Sequence, residues 1–232
     1  MYGFANIIAE QFSFVKALRK DGNKSVVVMR HRQLDTYVVV REFKGDIAVY
    51  KQLENISHPN LPKIYGAYEC DGKCCVTEEY IDGITVADVL AGGLYTNRGA
   101  AEVVKEICNA LDALHSLDII HRDIKPENVM VDSKGNVKLI DFDAARIYKK
   151  YHSLDTVFVG TAGFAAPEQY GINQTDPRSD IFALGILLNI MLTGEHPSKT
   201  MCDGRLKKVV EKCINVDPNK RYPSAAELAE KL

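Results

Sequence analysis

Several features that identify whole classes of protein are missing from this sequence. Among its 232 residues, 29 Lys and Arg nearly balance 31 Asp and Glu, which gives a formal net charge of −2. Proteins that bind nucleic acid in general carry a basic excess, so this balance argues against a nucleic-acid partner. The hydrophobic fraction of 46% and the charged fraction of 26% are ordinary for a globular protein and exclude a disordered one.

Long apolar runs are also absent. The longest one, 181–192, is interrupted by Gly185 and Asn189 and is too short to cross a bilayer. The amino-terminal stretch has no basic start and contains Glu10 and Gln11, unlike a signal peptide. We therefore predict a cytoplasmic protein with no direct membrane insertion in this chain.

The six cysteines do not have the spacing of a zinc site. No two of them are separated by two residues, and no histidine lies at ligand spacing nearby. We expect free thiols, as in a reducing cytosol. Internal repeats and low-complexity tracts are absent too.

The chain changes from a strand pattern to a helical one near residues 81–84. Before that point, β-branched and alternating segments predict strands over 12–18, 25–30, 37–41, 64–70 and 73–79, with one helix over 47–56. After it, apolar periodicity predicts helices over 100–117, 180–193, 205–215 and 224–232. The sequence therefore predicts a small antiparallel sheet with one helix, followed by a mainly helical part.

The most informative segment, 121–128, reads His-Arg-Asp-Ile-Lys-Pro-Glu-Asn, and Asp-Phe-Asp follows at 141–143. Segment 160–168 ends in Ala-Pro-Glu. Several fixed identities at fixed spacing make this a strong signal, and it resembles the eukaryotic-type (Hanks-type) serine/threonine protein kinases. The resemblance extends over almost the whole chain, and the compact loops are similar to those of bacterial members.

The resemblance implies an α+β, bilobal protein-kinase-like fold. The smaller N-lobe, residues 1–80, would hold the nucleotide-binding antiparallel sheet and one helix. A hinge at 81–84 would lead to the larger, mainly helical C-lobe at 85–232, which carries the catalytic loop, residues 121–128, and the activation loop. Together they would form one protein kinase domain with a cleft between the lobes.

The resemblance also assigns chemical roles, since phosphoryl transfer depends on positioning and charge neutralisation. Asp123 would accept the proton of the substrate hydroxyl. Lys125 would lie near the transferred group, and it indicates Ser/Thr rather than Tyr specificity. Asn128 and Asp141 would hold Mg²⁺ or Mn²⁺ together with ATP. The alternative, an unused charged surface loop, is disfavoured because apolar strands at 129–131 and 137–140 flank these residues.

Three further residues have structural roles by the same resemblance. Asp180 would brace the catalytic loop from a buried helix. Glu168 would form an ion pair with Arg221, and removing one partner of such a pair costs several kcal/mol when it is buried.

The ATP-binding part departs from the family pattern at four places. Arg41 stands where the third strand normally supplies a lysine to the phosphates, and Arg is not interchangeable with Lys. Val49 stands where the following helix normally supplies a glutamate. Asp143 replaces the Gly of Asp-Phe-Gly, which restricts the backbone there. Other residues fill the three positions of the glycine-rich loop: Arg19, Asp21 and Lys24.

Two hypotheses address these changes. Lys24 replaces the missing lysine at the phosphates; the alternative is a solvated turn lysine, the usual state of Lys. Arg41 pairs with Glu78 at the back of the adenine pocket, because an unpaired buried charge is costly. The alternative is that Glu78 points to solvent.

The remaining ATP contacts are also assigned by resemblance. Glu79 and Ile81 would present backbone groups to adenine, and Val26, Val39 and Met130 would enclose its ring. Each of these residues is equally suited to an ordinary core position.

Regulation is indicated by Arg122, the residue before the catalytic Asp, which in this family accompanies control by a phosphorylated activation loop. Three residues are candidate acceptors, Thr156 first, then Ser153 and Tyr151. Autophosphorylation at Thr156 or Ser153 is therefore expected.

The sequence thus predicts an ATP- and Mg²⁺-dependent kinase that phosphorylates Ser or Thr of a protein substrate. The alternative interpretation is a pseudokinase, a nucleotide-binding or scaffolding module. Because pseudokinases commonly lose Asp123 or Asp141 and this chain keeps both, the enzyme is favoured.

Overall fold

A computed structural model describes residues 10–22, 24–70, 72–148, 160–170 and 175–232. Contacts divide the chain into two compact units. The first comprises the described residues of Met1–His58 and Pro62–Asp82, and the second comprises Pro59–Leu61 and the described residues of Gly83–Leu232. The candidate phosphorylation sites at 151, 153 and 156 lie outside the described residues.

The first unit is built on a five-stranded antiparallel sheet with strand order β1-β2-β3-β5-β4. Its strands are β1 (Phe12–Asp21), β2 (Lys24–His31), β3 (Tyr37–Phe43), β4 (Ile64–Cys70) and β5 (Lys73–Glu79). The β-branched residues of β2 and β3 supply much of its buried surface.

The first hairpin is longer than the sequence predicts. We expected β1 to end at residue 18, whereas pairing with β2 continues to the Asp21↔Lys24 pair. Two register shifts, after Phe14 and after Ala17, let β1 follow β2 over this length.

Helix α1 (Ala48–Leu53) is shorter than the predicted 47–56. The backbone N–H groups of Asn55 and Ile56 donate to the carbonyls three residues earlier, at 3.3 and 3.0 Å. The last turn therefore tightens into 3₁₀-type bonding, which apolar periodicity does not distinguish from α-helix. Val49 and Leu53 face the core of this unit.

The second unit is mainly helical, as predicted. Its helices are α2 (Val86–Gly92), α3 (Asn97–His115), α4 (Arg178–Thr193), α5 (Gly204–Cys213) and α6 (Ala225–Ala229). Helix α3 starts earlier than predicted because the Thr96 side chain caps it by accepting from the Gly99 N–H.

Helix α4 is buried around most of its circumference and packs against α5. Gly185 makes this close packing possible, since a Cβ there would lie 2.4 Å from Cβ of Cys213. The prediction that this helix is buried is thereby confirmed.

Two small sheets frame the segment singled out by the motifs. One joins β6 (Gly83–Thr85), β8 (Val129–Asp132) and β9 (Val137–Leu139), and the other pairs β7 (Ile119–Ile120) with β10 (Arg146–Ile147). Asn60 explains why 59–61 belong to this unit: its side chain donates to the Val137 carbonyl at 2.9 Å, and its carbonyl accepts from Leu139 N–H at 2.9 Å.

The α+β class is confirmed by this arrangement of an antiparallel sheet followed by a helical part. In the described portion of the chain, none of the helices is long and apolar enough to cross a membrane.

Candidate active site

The Asp123 carboxylate lies at the centre of a hydrogen-bond network within the second unit. Lys125 Nζ donates to its Oδ2 at 2.8 Å, and Thr161 Oγ1 donates to its Oδ1 at 2.6 Å. Lys125 also donates to Thr161 Oγ1 at 2.7 Å, which closes a triangle of three side chains. Asn128 Nδ2 donates to the Asp123 carbonyl at 2.8 Å and to Oδ2 at 3.0 Å.

Two opposing effects set the ionisation of Asp123. Burial raises the pKa of this carboxyl, while the hydrogen bonds from Lys125 and Thr161 and the charge of Lys125 lower it. The lowering effects prevail, so the pKa lies below its ordinary value and the group is ionised at neutral pH. The network therefore holds a carboxylate ready to accept from a hydroxyl.

Asp180, at the start of α4, braces the catalytic loop as predicted. Its fully buried carboxylate accepts from the backbone N–H groups of His121 at 3.0 Å and Arg122 at 2.8 Å. It also contacts His115 Nε2 at 2.8 Å. Burial opposes its ionisation, and the bonds and charges of these partners overcome that effect, so the pKa of Asp180 is lowered.

His121 links the catalytic loop to the strand that precedes Asp141. Its Nε2 lies 3.2 Å from the Ile140 carbonyl, and its Nδ1 accepts from Asp123 N–H at 3.4 Å. Burial lowers the pKa of His121 despite the nearby carboxylates of Asp180, Asp123 and Asp141. The ring is therefore neutral and carries its proton on Nε2.

Asp141 lies close to the catalytic loop because the preceding residue, Ile140, is hydrogen-bonded to that loop. The Ile140 N–H donates to the Asn128 carbonyl at 2.9 Å, so Asn128 and Asp141 lie on adjoining segments. The backbone of Asp141 has φ +68°, an uncommon conformation that Asp tolerates better than most residues. Asp143 is not among the described non-glycine residues with positive φ, so its replacement of Gly causes no strain in this conformation.

The expected ion pair between Glu168 and Arg221 is present and buried. Arg221 donates through both terminal nitrogens to the two carboxylate oxygens, at 2.6 and 2.9 Å. Ser179 Oγ adds a bond to Glu168 Oε1 at 3.0 Å. The pair joins the end of the Ala-Pro-Glu segment to the short helix Pro218–Lys220 and its flanks.

The first unit contains the hypothesised pair between Arg41 and Glu78. Arg41 Nε donates to Glu78 Oε1 at 2.6 Å, and the side chains are only 8% and 6% exposed. The solvent-exposed alternative for Glu78 is therefore wrong. The two residues meet because Glu78 pairs with Val39 in the β3–β5 ladder and Arg41 is two positions further along.

Comparison with known proteins identifies this arrangement. The protein kinase domain family matches residues 11–231. This chain belongs to that family. The kinase domain is 28% identical over 97% of its length to the serine/threonine-protein kinase PknB of Mycobacterium tuberculosis, of which it covers 43%.

Two other relatives show how widely the similarity extends. The protein described as "Probable serine/threonine-protein kinase PknB" of Lactococcus lactis is 30% identical, with 85% of this chain and 34% of that protein covered. The serine/threonine-protein kinase MST20 of Pyricularia oryzae is 31% identical, with coverage of 77% and 19%. The chain thus spans less than half the length of these relatives. The prediction of a kinase domain of the serine/threonine class, similar to bacterial ones, is confirmed.

The residues expected to contact ATP lie on several elements of the kinase domain. Val26 and Val39 are buried on β2 and β3, Glu79 ends β5, and Ile81 is buried just after it. Met130 is partly exposed on β8 of the second unit. Lys24 is the first residue of β2 and is partly exposed.

Sequence reasoning missed two partly buried polar contacts that support the catalytic loop. His115 reaches Asp180 from the end of α3, and Gln169 reaches the Arg122 carbonyl from the short helix Pro167–Tyr170. Both contacts join positions far apart in the chain, so spacing gives no signal for them. The only local signal for the Gln169 contact is that this residue is polar and directly follows Pro-Glu, in a segment otherwise rich in Gly and Ala.

Proposed function

We propose that this domain transfers the γ-phosphoryl group of ATP to Ser or Thr hydroxyls of a protein substrate. The observation that carries the proposal is the ionised Asp123 carboxylate, held by Lys125, Asn128 and Thr161. Phosphoryl transfer requires positioning and charge neutralisation more than covalent chemistry, and these four residues supply both.

Asp123 orients the attacking hydroxyl. The Thr161 hydroxyl, which donates to Oδ1 at 2.6 Å, demonstrates that an alcohol fits against this carboxylate. The lowered pKa makes Asp123 a weak base, which suits a loose transition state in which the hydroxyl proton leaves late. A hydroxyl of the substrate would donate to the same carboxylate and present its oxygen to the phosphorus.

Lys125 supplies positive charge beside the reacting oxygen. Its Nζ already bridges Asp123 and Thr161, and its side chain is 21% exposed. A third ammonium hydrogen therefore remains for a phosphoryl oxygen. Its place two residues after Asp123 supports the assignment to Ser and Thr acceptors.

Asn128 and Asp141 are the residues that would hold a divalent cation. Both offer oxygen donors, as Mg²⁺ and Mn²⁺ prefer. Because Asn128 uses Nδ2 to bind Asp123, its amide oxygen is turned away from that bond and suits a cation. Among the described residues, no three His, Cys, Asp or Glu side chains cluster as a metal site, so the ion would share oxygens of ATP. Such an ion would neutralise the charge of the phosphates.

ATP contacts are proposed for residues of the first unit. The backbone of Glu79 and Ile81 would bind adenine, and Lys24 and Arg41 would serve the phosphates. Two apolar side chains of the same unit, Val26 and Val39, would cover the adenine ring. For Met130, on β8 of the second unit, the contact with adenine stays a prediction.

The pseudokinase is the second candidate, and one observation favours it. The guanidinium of Arg41 is committed to Glu78, which leaves it less available to phosphates than the usual lysine. If nucleotide is not positioned, the intact catalytic loop transfers nothing and the domain acts by binding alone.

A phosphate-transfer assay distinguishes the active kinase from the pseudokinase. The parent chain and Asp123→Asn would be incubated with ATP radiolabelled at the γ-phosphate, Mg²⁺ or Mn²⁺, and a Ser/Thr-containing protein such as casein. We expect Asp123→Asn to lower the rate by about 10²–10⁴-fold, while the exposed control Asp112→Asn retains it. Equal signal from the parent and Asp123→Asn would favour the scaffold. Mg-ATP would then still raise the melting temperature if the nucleotide binds.

Autophosphorylation at Thr156 or Ser153 belongs to the same proposal. Burial and the nearby charge of Arg146 lower the pKa of the Arg122 guanidinium to about 10. Two neighbouring arginines that repel each other form a suitable partner for a phosphate. Mass spectrometry of the chain after incubation with Mg-ATP should locate phosphate at one of these residues, and not in Asp123→Asn.

A further inference from the structure

Gln169 makes a bridge between segment 160–169 and the catalytic loop. The residue is only 2% exposed. Nε2 donates to the Arg122 carbonyl at 3.0 Å, and Oε1 accepts from the Ala166 N–H at 2.9 Å. The backbone N–H of Gln169 also donates to the Ala166 carbonyl at 2.9 Å, and the two side-chain bonds fix the orientation of the amide.

The bridged carbonyl belongs to the peptide that carries the Asp123 N–H. Arg122 has φ +65°, a left-handed conformation that residues with a side chain rarely adopt. Such a conformation persists only where the surroundings enforce it. Asp180 holds the Arg122 N–H, His121 Nδ1 accepts from the Asp123 N–H, and Gln169 holds the carbonyl between them.

Gly160 lets the bridge form. A Cβ at this position would lie 2.9 Å from Gln169 Nε2 and 3.0 Å from the Arg122 carbonyl oxygen. The segment backbone therefore passes directly against the hydrogen bond, which is closed to water on that side.

Segment 160–169 contacts the catalytic loop at two points, and only one of them involves an atom that the proposed reaction uses. The Thr161 bond to Asp123 occupies a carboxylate oxygen that the proposed substrate hydroxyl would also use. The Gln169 bond involves only a backbone carbonyl, which the proposed reaction does not use.

We propose that Gln169 is a positioning residue, whose amide fixes the Arg122–Asp123 peptide and thereby aims the Asp123 carboxylate at the acceptor hydroxyl. The inference rests on the proposed function, since it names a residue that acts through Asp123. It predicts an effect on turnover and not on ATP binding.

The principal variant is Gln169→Glu, which keeps the shape and the acceptor for Ala166 but loses the donor to Arg122 when ionised. We expect kcat to fall about tenfold, the equivalent of one hydrogen bond to a buried group, with KM for ATP within about twofold of the parent. Burial raises the pKa of a carboxyl. Lowering the pH from about 8 to about 6 should therefore restore the donor and bring kcat of the variant closer to that of the parent.

The matched control is Asn189→Asp, the same amide-to-carboxylate change at another buried position. Asn189 binds the Cys202 N–H and the carbonyls of Glu195 and Thr200, all outside the catalytic loop. This variant should lose stability without the fall in kcat or its recovery at lower pH. Gln169→Met, which removes both bonds, provides a second test if the glutamate variant does not fold.

Amide hydrogen exchange tests the bridge independently of activity. Exchange at Asp123 should be about tenfold faster in both Gln169 variants than in the parent and in Asn189→Asp. Turnover and exchange equal to those of the parent would overturn the inference while the proposed function stands. A parent that transfers no more phosphate than Asp123→Asn would overturn the proposed function, and the exchange rates would then decide the inference alone.

Discussion

Arg41 donates to Glu78 at 2.6 Å between neighbouring strands, with both side chains buried. In the usual family arrangement, the basic residue of the third strand pairs with a glutamate on the following helix. Here that helix, α1, presents buried Val49 instead. The pair therefore ties β3 to β5 within one sheet, whereas α1 and its C-cap reach β4 through the Lys51 ammonium over the Tyr68 ring and the Glu54 carboxylate at the Ala67 N–H.

The first prediction concerns the stability of this pair. Glu78→Leu or Arg41→Met leaves a buried charge without its partner, which costs about 3–5 kcal/mol in the free energy of unfolding. The double variant should recover most of the loss, because it buries no charge. Urea unfolding of the four proteins measures this coupling. Losses that simply add in the double variant would show that the two side chains do not act as a pair. As a control, Arg98→Met disrupts an exposed pair with Glu102 and should change little.

The second prediction concerns Lys24. If it replaces the missing lysine at the phosphates, Lys24→Met removes a charge-assisted hydrogen bond and should raise KM for ATP by about 10–100-fold. Lys20→Met, four residues away on the paired strand, is the control and should leave KM unchanged. If both variants have the KM of the parent, Lys24 is an ordinary solvated lysine.

The third prediction concerns pH and the buried His121. Its pKa is lowered by burial, so between that value and 6.5 the unfolded chain binds a proton that the folded protein excludes. Stability contributed by the neutral ring is fully present above pH 6.5 and is lost as the pH falls, by at most about 1.4 kcal/mol per pH unit. His121→Phe lacks this titration, so its free energy of unfolding should depend less steeply on pH between about 6.5 and 5. Urea unfolding across that range compares the slopes, and identical slopes would contradict a neutral buried ring.

The fourth prediction concerns Arg221. Arg221→Met leaves the buried Glu168 carboxylate without its arginine partner and should lower the free energy of unfolding by about 3–5 kcal/mol. Arg221→Lys keeps the charge but cannot bind both oxygens in a planar fork, so a smaller loss of about 1–3 kcal/mol is expected. Thermal or urea unfolding gives the order of the three proteins. A lysine variant less stable than the methionine variant would show that geometry outweighs charge here.

Much of the catalytic loop could be predicted because its chemistry depends on short-range spacing. The placement of Asp123, Lys125 and Asn128 within six residues is enough to bring their side chains together around one turn. The Arg41–Glu78 pair could be predicted as well, because the two residues fall on neighbouring predicted strands and an unpaired buried charge is costly.

Other features depended on contacts that spacing does not encode. Helix α1 ended early because its last turn tightened, and β1 lengthened through two irregularities of register. His115 and Gln169 reach their partners across 65 and 47 positions of the chain. Such contacts arise when separate elements pack, which no local pattern specifies.

By itself the sequence determined the α+β class, the kinase family and the identity of the charged groups, because periodicity and motif spacing are properties of short stretches. Only the tertiary structure decided how these groups are held: the left-handed Arg122, the bridge from Gln169 and the buried brace at Asp180. The physical reason is that a buried polar group must find its hydrogen-bond partner wherever the fold brings one within reach.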